Sequence, residues 1–440
     1  MKKVTKGFAP LAVLALVATG CGGGDSSGDT CDEDDLICDY GVTDDTIRIG
    51  LNADLSGPFA GLVTQIVEAQ TVYFEMVNEM GGVAGRDVEL VVLDNAYDVP
   101  THLANYEEFS LESEEGVVFF TQSTGSPHTA ATVEALAEDN LLAVPLTWYS
   151  GWADPDLGGN IVEINANYCV EAINGVEYLA GAFAAETIAI VSLPGEYGED
   201  GASGAHLAAE ALGLEVVYDG QGAIAGGDTT PVITELVAAQ PDIVWITSTP
   251  TQLAEILGGS AAQGLQAQWS GNSPSYSYLL LNTAVAPALD AFYTQSTYTA
   301  LWGANDSEGM QLIISEMQKR RPDAPYSDNY IRGFLEAMTA HQILLAAVDA
   351  GDITRAGIVE AFQTAEIDFK GLAPNQNWTG EPNDFIIRDT YLYDVDSSTF
   401  TPEATVMDAD GGSGSVLIEG PYSGSLAQGY VWDGPCFVAG

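Results

Sequence analysis

The residues whose type and spacing could do chemistry most directly are the five cysteines of this 440-residue chain. Four of them, Cys31, Cys38, Cys169 and Cys436, form an even set, which favours disulfides if the protein is exported. Three pairings are possible. We expect Cys31–Cys38 to close a short local loop and Cys169–Cys436 to tie the C-terminal tail to the body of the protein. Metal binding is the alternative, but no C-x-x-C pair occurs and no His lies near a Cys in the sequence.

The fifth cysteine, Cys21, is predicted to carry a lipid. Three lysines precede the apolar run 8–18, and small residues lead from that run to Cys21. This arrangement is typical of a lipoprotein export signal. The sequence therefore predicts a signal peptide over 1–20, an acidic flexible tether over 21–44, and an anchor on the outer, or periplasmic, face of the cell membrane. A signal peptide cleaved elsewhere, which would discard Cys21, is the alternative.

Motifs that would carry catalysis are absent from the sequence. There is no P-loop, no H-E-x-x-H zinc site and no G-x-S-x-G nucleophile elbow. His128 and His206 have no acid–nucleophile pattern near them, and carboxylate pairs are uninformative in so acidic a chain. We therefore expect no enzymatic activity, no cofactor and no metal site.

The charge of the chain excludes one class of function. The sequence has 63 acidic and 12 basic residues, a formal net charge of −51. Such a surface repels nucleic acid, so we expect no nucleic-acid partner. A solvated surface suited to a saline environment explains the acidity. The alternative, a calcium-binding surface, lacks the alternating aspartates of an EF-hand loop.

The stretch LTWYSGWADP, residues 146–155, raises a question of packing. It places Trp148, Tyr149 and Trp152 directly after the apolar run 141–145. Glycine, aspartate and proline close the stretch, so we expect a loop that follows a buried strand. Three large aromatic residues in one loop need either a buried anchor or a binding role.

The elements that position this loop are predicted from alternating apolar runs and helical segments. Apolar runs of strand length occur at 46–55, 88–94, 116–120, 141–146, 187–193, 214–218, 242–248 and 266–271. Near-continuous apolar strands between helices indicate a parallel sheet covered on both faces. The pattern pauses around 161–168 and then restarts, which predicts two α/β domains. Long helices are expected at about 307–320, at about 328–350 and from 354, and short, turn-rich strands after about 366.

Several stretches, taken in order, resemble one family. The stretches are IRIGLNADLSGPFAG, NEMGGVAGRDVELVVLDNAYD, STGSPHT, TWYSGWADP, GEYGEDGASGAHLAAEALGLEV and DNYIRGFLEAMTAHQILLAAVDAG. They are similar to the leucine/isoleucine/valine-binding proteins, the type I periplasmic substrate-binding proteins of ABC transporters. The resemblance covers roughly residues 45 to 375. It implies two Rossmann-like α/β lobes with parallel sheets, joined by three hinge crossings.

The resemblance also implies where the lobes divide and where a ligand lies. Residues 45–165 plus 300–365 would form the first lobe, and 166–299 plus 366–440 the second. The ligand would be trapped between them, beyond the carboxyl ends of the strands. The expected ligand-binding residues are Phe59, Ser126, Thr147, Trp148, Tyr149, Ser150, Tyr197, Asn272 and Trp302.

Individual roles follow from the same resemblance. Ser126 and Ser150, with the backbone at Tyr149, would donate to a carboxylate or amide oxygen of the ligand. Tyr197 would close over the ligand from the second lobe. Asn272 falls where amino-acid-binding members carry an acid that pairs with the ligand ammonium, and a buried unpaired ammonium is costly. The ligand class therefore stays open between a branched-chain or other amino acid and an amide or urea-like compound.

Three functions remain as hypotheses. The first is a monomeric lipoprotein that captures a small polar solute and delivers it to the permease subunits of an ABC importer. The second is a sensor of the same fold that acts on a signalling partner. The third is an enzyme with a two-domain cleft, which no motif supports.

Overall fold

The computed structural model of the chain describes residues 29–31, 36–408 and 412–438. The signal peptide and the lipidation predicted at Cys21 lie outside the described residues. Among those described, no helix combines the length and apolarity that a bilayer crossing requires.

The described secondary structure follows the alternation expected from the sequence. The strands are β1 (Asp29–Thr30), β2 (Ile37–Cys38), β3 (Thr46–Ala53), β4 (Asp87–Asp94), β5 (Phe119–Thr124), β6 (Ala143–Leu146), β7 (Thr187–Ser192), β8 (Glu215–Gly220), β9 (Ile243–Thr247), β10 (Gln268–Gly271), β11 (Thr294–Thr297), β12 (Glu366–Ile367), β13 (Gln376–Asn377), β14 (Thr390–Phe400) and β15 (Ser413–Tyr422). The α-helices are α1 (Ala60–Glu79), α2 (Val99–Phe109), α3 (Ser126–Ala130), α4 (Val133–Glu138), α5 (Pro155–Gly158), α6 (Tyr168–Phe183), α7 (Gly195–Leu212), α8 (Thr230–Ala239), α9 (Pro250–Ala262), α10 (Ala286–Phe292), α11 (Glu308–Arg320), α12 (Asn329–Ala350), α13 (Arg355–Phe362), α14 (Pro382–Phe385) and α15 (Ser425–Gly429). Short 3₁₀ helices span Ser150–Ala153, Ala225–Gly227, Ser273–Ser275 and Tyr278–Asn282.

The first lobe is built on a four-stranded parallel sheet in the order β4-β3-β5-β6. Ile47, Ile49 and Leu51 of β3 are fully buried, as expected for a central strand with both faces covered. Helix α12 packs against α1 and against β5 and β6, and α11 also contacts α1. The late helices therefore return to the lobe formed by the start of the chain.

The second lobe is built on another parallel sheet, in the order β10-β9-β7-β8. Helix α7 packs against β7, β9 and α6. Gly175 of α6 lies against the ring of Trp245 in β9, and a Cβ atom at this glycine would overlap the ring. The close approach of helix and sheet therefore depends on this glycine.

The chain passes between the lobes after β6, after β11 and before β14, which is the three-crossing arrangement implied by the resemblance. The predicted strands and the parallel α/β class are confirmed by these two sheets. The residue boundaries of the lobes stay a prediction.

The expectation of short strands after about residue 366 is confirmed for β12 and β13 but is wrong for β14 and β15. Strands β14 and β15 have 11 and 10 residues and form an antiparallel sheet with β11, in the order β11-β14-β15. Strand β14 is hydrogen-bonded on both sides, to β11 and to β15. These strands form because they pair with segments that are distant in sequence. A local run of apolar residues does not predict such pairing.

The described cysteines form two disulfides. Cys31 is joined to Cys38, and Cys169 at the start of α6 is joined to Cys436. The second bridge has a Cα–Cα distance of 6.3 Å and spans 267 residues of sequence. It holds the end of the chain against the second lobe. Among the described residues no cluster of His, Cys, Asp and Glu could hold a metal ion.

Candidate ligand-binding cleft

A narrow cavity lies between the lobes, where β5 and β6 of the first sheet end. Its lining combines aliphatic, aromatic and a few polar side chains from both lobes. The lining residues are Phe59, Leu62, Val63, Ile66, Tyr97, Thr124, Gly125, Ser126, Leu146, Trp148, Tyr168, Tyr197, Pro274, Tyr298 and Arg332. A cleft in this place is the usual ligand position in open α/β sheets.

The start of α1 supplies the aliphatic wall. Leu62, Val63 and Ile66 follow Phe59 at helical spacing, so the four residues lie on one face of the helix. The carboxylate of Asp54 accepts a hydrogen bond of 2.9 Å from the backbone N–H of Phe59 and so fixes the entry to the helix. From Phe59 to Ile66 this face is apolar.

The junction of β5 and α3 depends on Gly125. Its φ of 100° lies in a region that other residues avoid, and a Cβ atom here would overlap the rings of His128 and Tyr97. The chain can therefore turn sharply and begin α3 at Ser126, whose hydroxyl is hydrogen-bonded to that of Thr147.

Aromatic rings from both lobes meet around the cavity. The ring of Phe59 lies 4.9 Å from that of Tyr97, centre to centre, and 6.1 Å from that of Tyr197 in the second lobe. Tyr197 in turn lies 4.8 Å from Tyr168. These contacts span the gap between the lobes, so the lobes are closed on each other in this structure.

Arg332 of α12 is the charged residue of the lining. Its guanidinium donates to Asn329 Oδ1 and Ser273 Oγ, both at 2.6 Å, and lies 5.5 Å from the ring centre of Tyr298. The ion pairs within the described residues do not include Arg332. No Asp or Glu of the described chain lines the cavity.

Two buried carboxyl groups lie behind the lining. Glu171 accepts hydrogen bonds from Asn272 Nδ2 at 2.8 Å and from the backbone of Ser273 at 3.0 Å, and burial raises its pKa to about 7. Glu336 accepts from Gln70 at 2.7 Å, and burial raises its pKa well above the usual range, an effect that nearby Arg332 opposes. Burial therefore favours the neutral form of both groups.

Comparison with known proteins assigns the fold to a family. The sequence model of the periplasmic binding proteins matches residues 46–399. The chain belongs to this family. Its members are substrate-binding proteins rather than enzymes, and they act with ABC transporters. No curated protein matches the chain.

Solved structures of periplasmic binding proteins include several that are similar to this one. A fatty acid ABC transporter substrate-binding protein from Thermomonospora curvata is 27% identical, with a TM-score of 0.79 over 90% of this chain and 97% of its own. A branched-chain amino acid ABC transporter protein from Thermus thermophilus with bound valine is 18% identical, with a TM-score of 0.71 over 87% of this chain and 98% of its own. A solute-binding protein from Rhodopseudomonas palustris BisB5, in complex with 3,4-dihydroxybenzoic acid, is 17% identical, with a TM-score of 0.65 over 80% of this chain and 93% of its own. The last two similarities show the fold alone.

Four of the residues expected to bind ligand line the cavity of this periplasmic binding protein: Phe59, Ser126, Trp148 and Tyr197. Thr147 lies directly behind the lining and bonds to Ser126. Contact of these five residues with a ligand stays a prediction.

The other four expected residues lie outside the lining. Tyr149 donates its hydroxyl to the carbonyl of Phe437 at 2.6 Å. Ser150 bonds to Asp200 and to the backbone of Cys436.

Asn272 and Trp302 also have partners within the protein. Asn272 accepts from Thr247 Oγ1 at 2.6 Å and donates to Glu171, so its amide is fully engaged. Trp302 packs against Tyr326, with ring centres 5.9 Å apart, and its backbone donates to Asp328 at 3.0 Å. In this closed arrangement neither residue lines the cavity.

Reasoning from the sequence did not single out Arg332, Tyr298 or the aliphatic face of α1. Arg332 carried a signal that could have found it, because it is a rare basic residue inside the apolar stretch YIRGFLEAM. Tyr298 carried none, since nothing in STYTAL distinguishes a cavity residue from a core residue.

Proposed function

We propose that this periplasmic binding protein captures a solute with an apolar body between its lobes and delivers it to the permease of an ABC importer. The observation that carries the proposal is the lining of the cavity. Aliphatic side chains of α1 and aromatic side chains from both lobes form most of its wall.

The chemistry of the wall favours an apolar solute over a urea-like one. Burying apolar surface contributes roughly 25 cal/mol per Å². A small polar solute would lose its hydrogen bonds to water and find few replacements against Leu62, Val63 and Ile66. Among the solutes considered from the sequence, those with a hydrocarbon side chain fit this wall best.

The two-lobed wall also supports a mechanism of capture. A ligand that touches Phe59 in one lobe and Tyr197 in the other stabilises the closed arrangement relative to the open one. Closure would then present a defined surface to the permease. The fatty acid named for the Thermomonospora relative, at 27% identity over nearly the whole chain, supports an apolar solute.

The remaining elements of the proposal come from the sequence. We propose that the protein is exported, is anchored through a lipid on Cys21 to the outer face of the membrane, and acts as a monomer. The tether before the first lobe would leave the cleft free to meet its permease.

Calorimetric titration with solutes of increasing chain length tests the proposed ligand class. Butanamide, hexanamide and octanamide carry no charge, so they probe the apolar wall alone. We expect the binding free energy to improve by about 0.8 kcal/mol per added methylene until the cavity is full. Glutamine and urea serve as polar comparisons. Tighter binding of either than of octanamide would contradict the proposal.

Uptake by cells tests the transport part separately. Deletion of the gene in the source organism should abolish import of a labelled solute that the purified protein binds. Restoring the full-length gene should restore import, whereas unchanged import after the deletion would argue against a role in transport.

A further inference from the structure

Arg332 differs from the other buried arginines in how its guanidinium is satisfied. Arg355 donates through Nε to the carbonyl of Val117, at 3.0 Å, and through its other nitrogens to further carbonyl oxygens. Arg332 is 7% exposed, yet its Nε has no hydrogen-bond partner within the described chain. Part of this cation is therefore buried and unpaired at the wall of a cavity.

No carboxylate of the described chain is hydrogen-bonded to the guanidinium of Arg332, although the buried carboxyl groups of Glu171, Asp328 and Glu336 lie near enough to interact with its charge. Its strong hydrogen bonds go to a neutral amide and a hydroxyl, and Glu336, one turn further along α12, has no ion pair with it. Burial favours the neutral form of these acids, so the guanidinium has no directly paired carboxylate, and an anion brought by a ligand would supply one.

Two further donors without partners belong to the same part of the lining. Trp148 Nε1 and the hydroxyl of Tyr298 are buried and have no partner in the described protein. Their rings lie 4.1 Å apart, centre to centre, and Arg332 lies 5.5 Å from the Tyr298 ring. An indole N–H and a guanidinium N–H can only donate. The group that completes them must accept hydrogen bonds.

The described lining offers no partner for a positively charged group of a ligand. A ligand ammonium would need a carboxylate, and none of the described carboxylates lines the cavity. Glu171, the buried acid nearest to Asn272, is occupied by Asn272 and by the backbone of Ser273. A zwitterionic amino acid would therefore bury an unpaired ammonium beside Arg332.

We propose that Arg332 is the specificity-determining residue of the cleft, binding the carboxylate of an apolar monocarboxylic acid with help from Trp148 Nε1 and the Tyr298 hydroxyl. This inference rests on the proposed function and specifies that the apolar solute is negatively charged. It excludes amino acids as the preferred ligands of this chain.

Three probes with the same hydrocarbon tail test the inference by calorimetry. Octanoate carries the carboxylate, octanamide replaces it with a neutral group, and 2-aminooctanoate adds an ammonium. For the wild-type protein at pH 7.5, we expect octanoate to bind about 10- to 100-fold more tightly than either of the others. Equal binding of octanoate and octanamide would overturn the inference while leaving the apolar ligand class standing. Failure of all three to bind would overturn both.

Variants connect this preference to Arg332. In Arg332→Met, octanoate and octanamide should bind within about threefold of each other, because the difference arises from one charged partner. Lys370→Met, which removes an exposed cation paired with Glu308, should leave the ratio unchanged. Arg332→Lys should retain part of the preference for octanoate over octanamide. If Arg332→Met does not fold, the test of Arg332 rests on this variant together with the wild-type ranking of the three probes. A full preference in Arg332→Met would refute the assignment.

Discussion

Ser150 donates its backbone N–H and its hydroxyl to the carboxylate of Asp200, over 3.0 and 2.5 Å. Ser150 follows β6 of the first lobe, and Asp200 lies in α7 of the second, so these hydrogen bonds cross the junction of the lobes. The sequence suggested that Ser150 touches the ligand. In the closed structure its hydrogen bonds connect the two lobes, and its contact with a ligand stays a prediction.

The end of the chain meets the same junction. The C-terminal segment, residues 430–438, is tied to α6 by the disulfide of Cys436. Trp432 Nε1 donates to the carbonyl of Ser150 at 3.0 Å, and the backbone N–H of Cys436 donates to the Ser150 hydroxyl at 2.8 Å. This segment lies beyond residues 46–399, the part that matches the family, and it links the second lobe to a loop of the first.

Replacement of Ser150 should weaken the closed state without changing ligand preference. Ser150→Ala removes a hydrogen bond to a buried carboxylate, so we expect ligand affinity to fall by about 1–3 kcal/mol. Octanoate and octanamide should be affected equally, because Ser150 does not line the cavity. Calorimetry with both probes measures this.

Ser126→Ala is the matched control for this variant, because it removes a hydroxyl that does line the cavity. Small-angle scattering of ligand-bound Ser150→Ala should show a larger open fraction than the wild type. A changed ratio between the two probes would indicate that Ser150 touches the ligand.

Loss of the Cys169–Cys436 disulfide should destabilise the protein. The bridge spans 267 residues, so its removal frees a long loop in the unfolded state. We expect the double variant Cys169→Ser, Cys436→Ser to lose about 2–5 kcal/mol of unfolding free energy in urea. The double variant Cys31→Ser, Cys38→Ser should lose less unfolding free energy, because that bridge closes a loop with a sequence separation of only 7 residues. Equal losses would contradict this ranking.

Tryptophan fluorescence should report binding through Trp148. This residue lines the cavity, whereas Trp152 is buried against Tyr149 with ring centres 5.1 Å apart. Ligand should change the emission of the wild type and of Trp152→Phe, but the change should be largely lost in Trp148→Phe. A full signal in Trp148→Phe, with binding verified by calorimetry, would show that another tryptophan senses the ligand.

Stability should fall as the pH rises through neutrality. Burial raises the pKa of Glu163 to about 8 and that of Asp200 to about 7. In the unfolded chain these groups have a pKa of about 4, so the folded protein holds more protons at intermediate pH. Their contribution to stability is full below about pH 4 and is lost as the pH rises through the folded values. Urea unfolding from pH 5 to pH 9 measures the decline.

Glu163→Gln tests the group with the higher of these two pKa values. Each such group contributes a slope of up to about 1.4 kcal/mol per pH unit, and the amide removes one of them. The comparison belongs at high salt, because the net charge of −51 adds a repulsion that salt screens. An unchanged slope would mean that Glu163 does not hold its proton near neutral pH.

Lipidation can be tested in cells with labelled palmitate. We expect the label to enter the protein and to be lost in Cys21→Ala, which should also release the protein from the membrane fraction. Label that persists in Cys21→Ala would refute the proposed anchor.

The sequence by itself determined the two parallel sheets and their order along the chain. Each strand of β3–β10 follows from a short run of apolar residues, because burial on both faces leaves a local pattern. Motifs such as STGSPHT and TWYSGWADP also marked the loops beyond the first sheet, two of which supply Ser126 and Trp148 to the cavity.

Only the tertiary structure decided which side chains share the cleft. Arg332, Tyr298 and Trp148 are far apart in sequence, and the packing of α12 and β11 at the hinge brings them together. The same packing gives Ser150 a partner in the other lobe and pairs β14 with two distant strands. A local pattern records whether a residue is buried, but not what it is buried against, because that depends on how the lobes close.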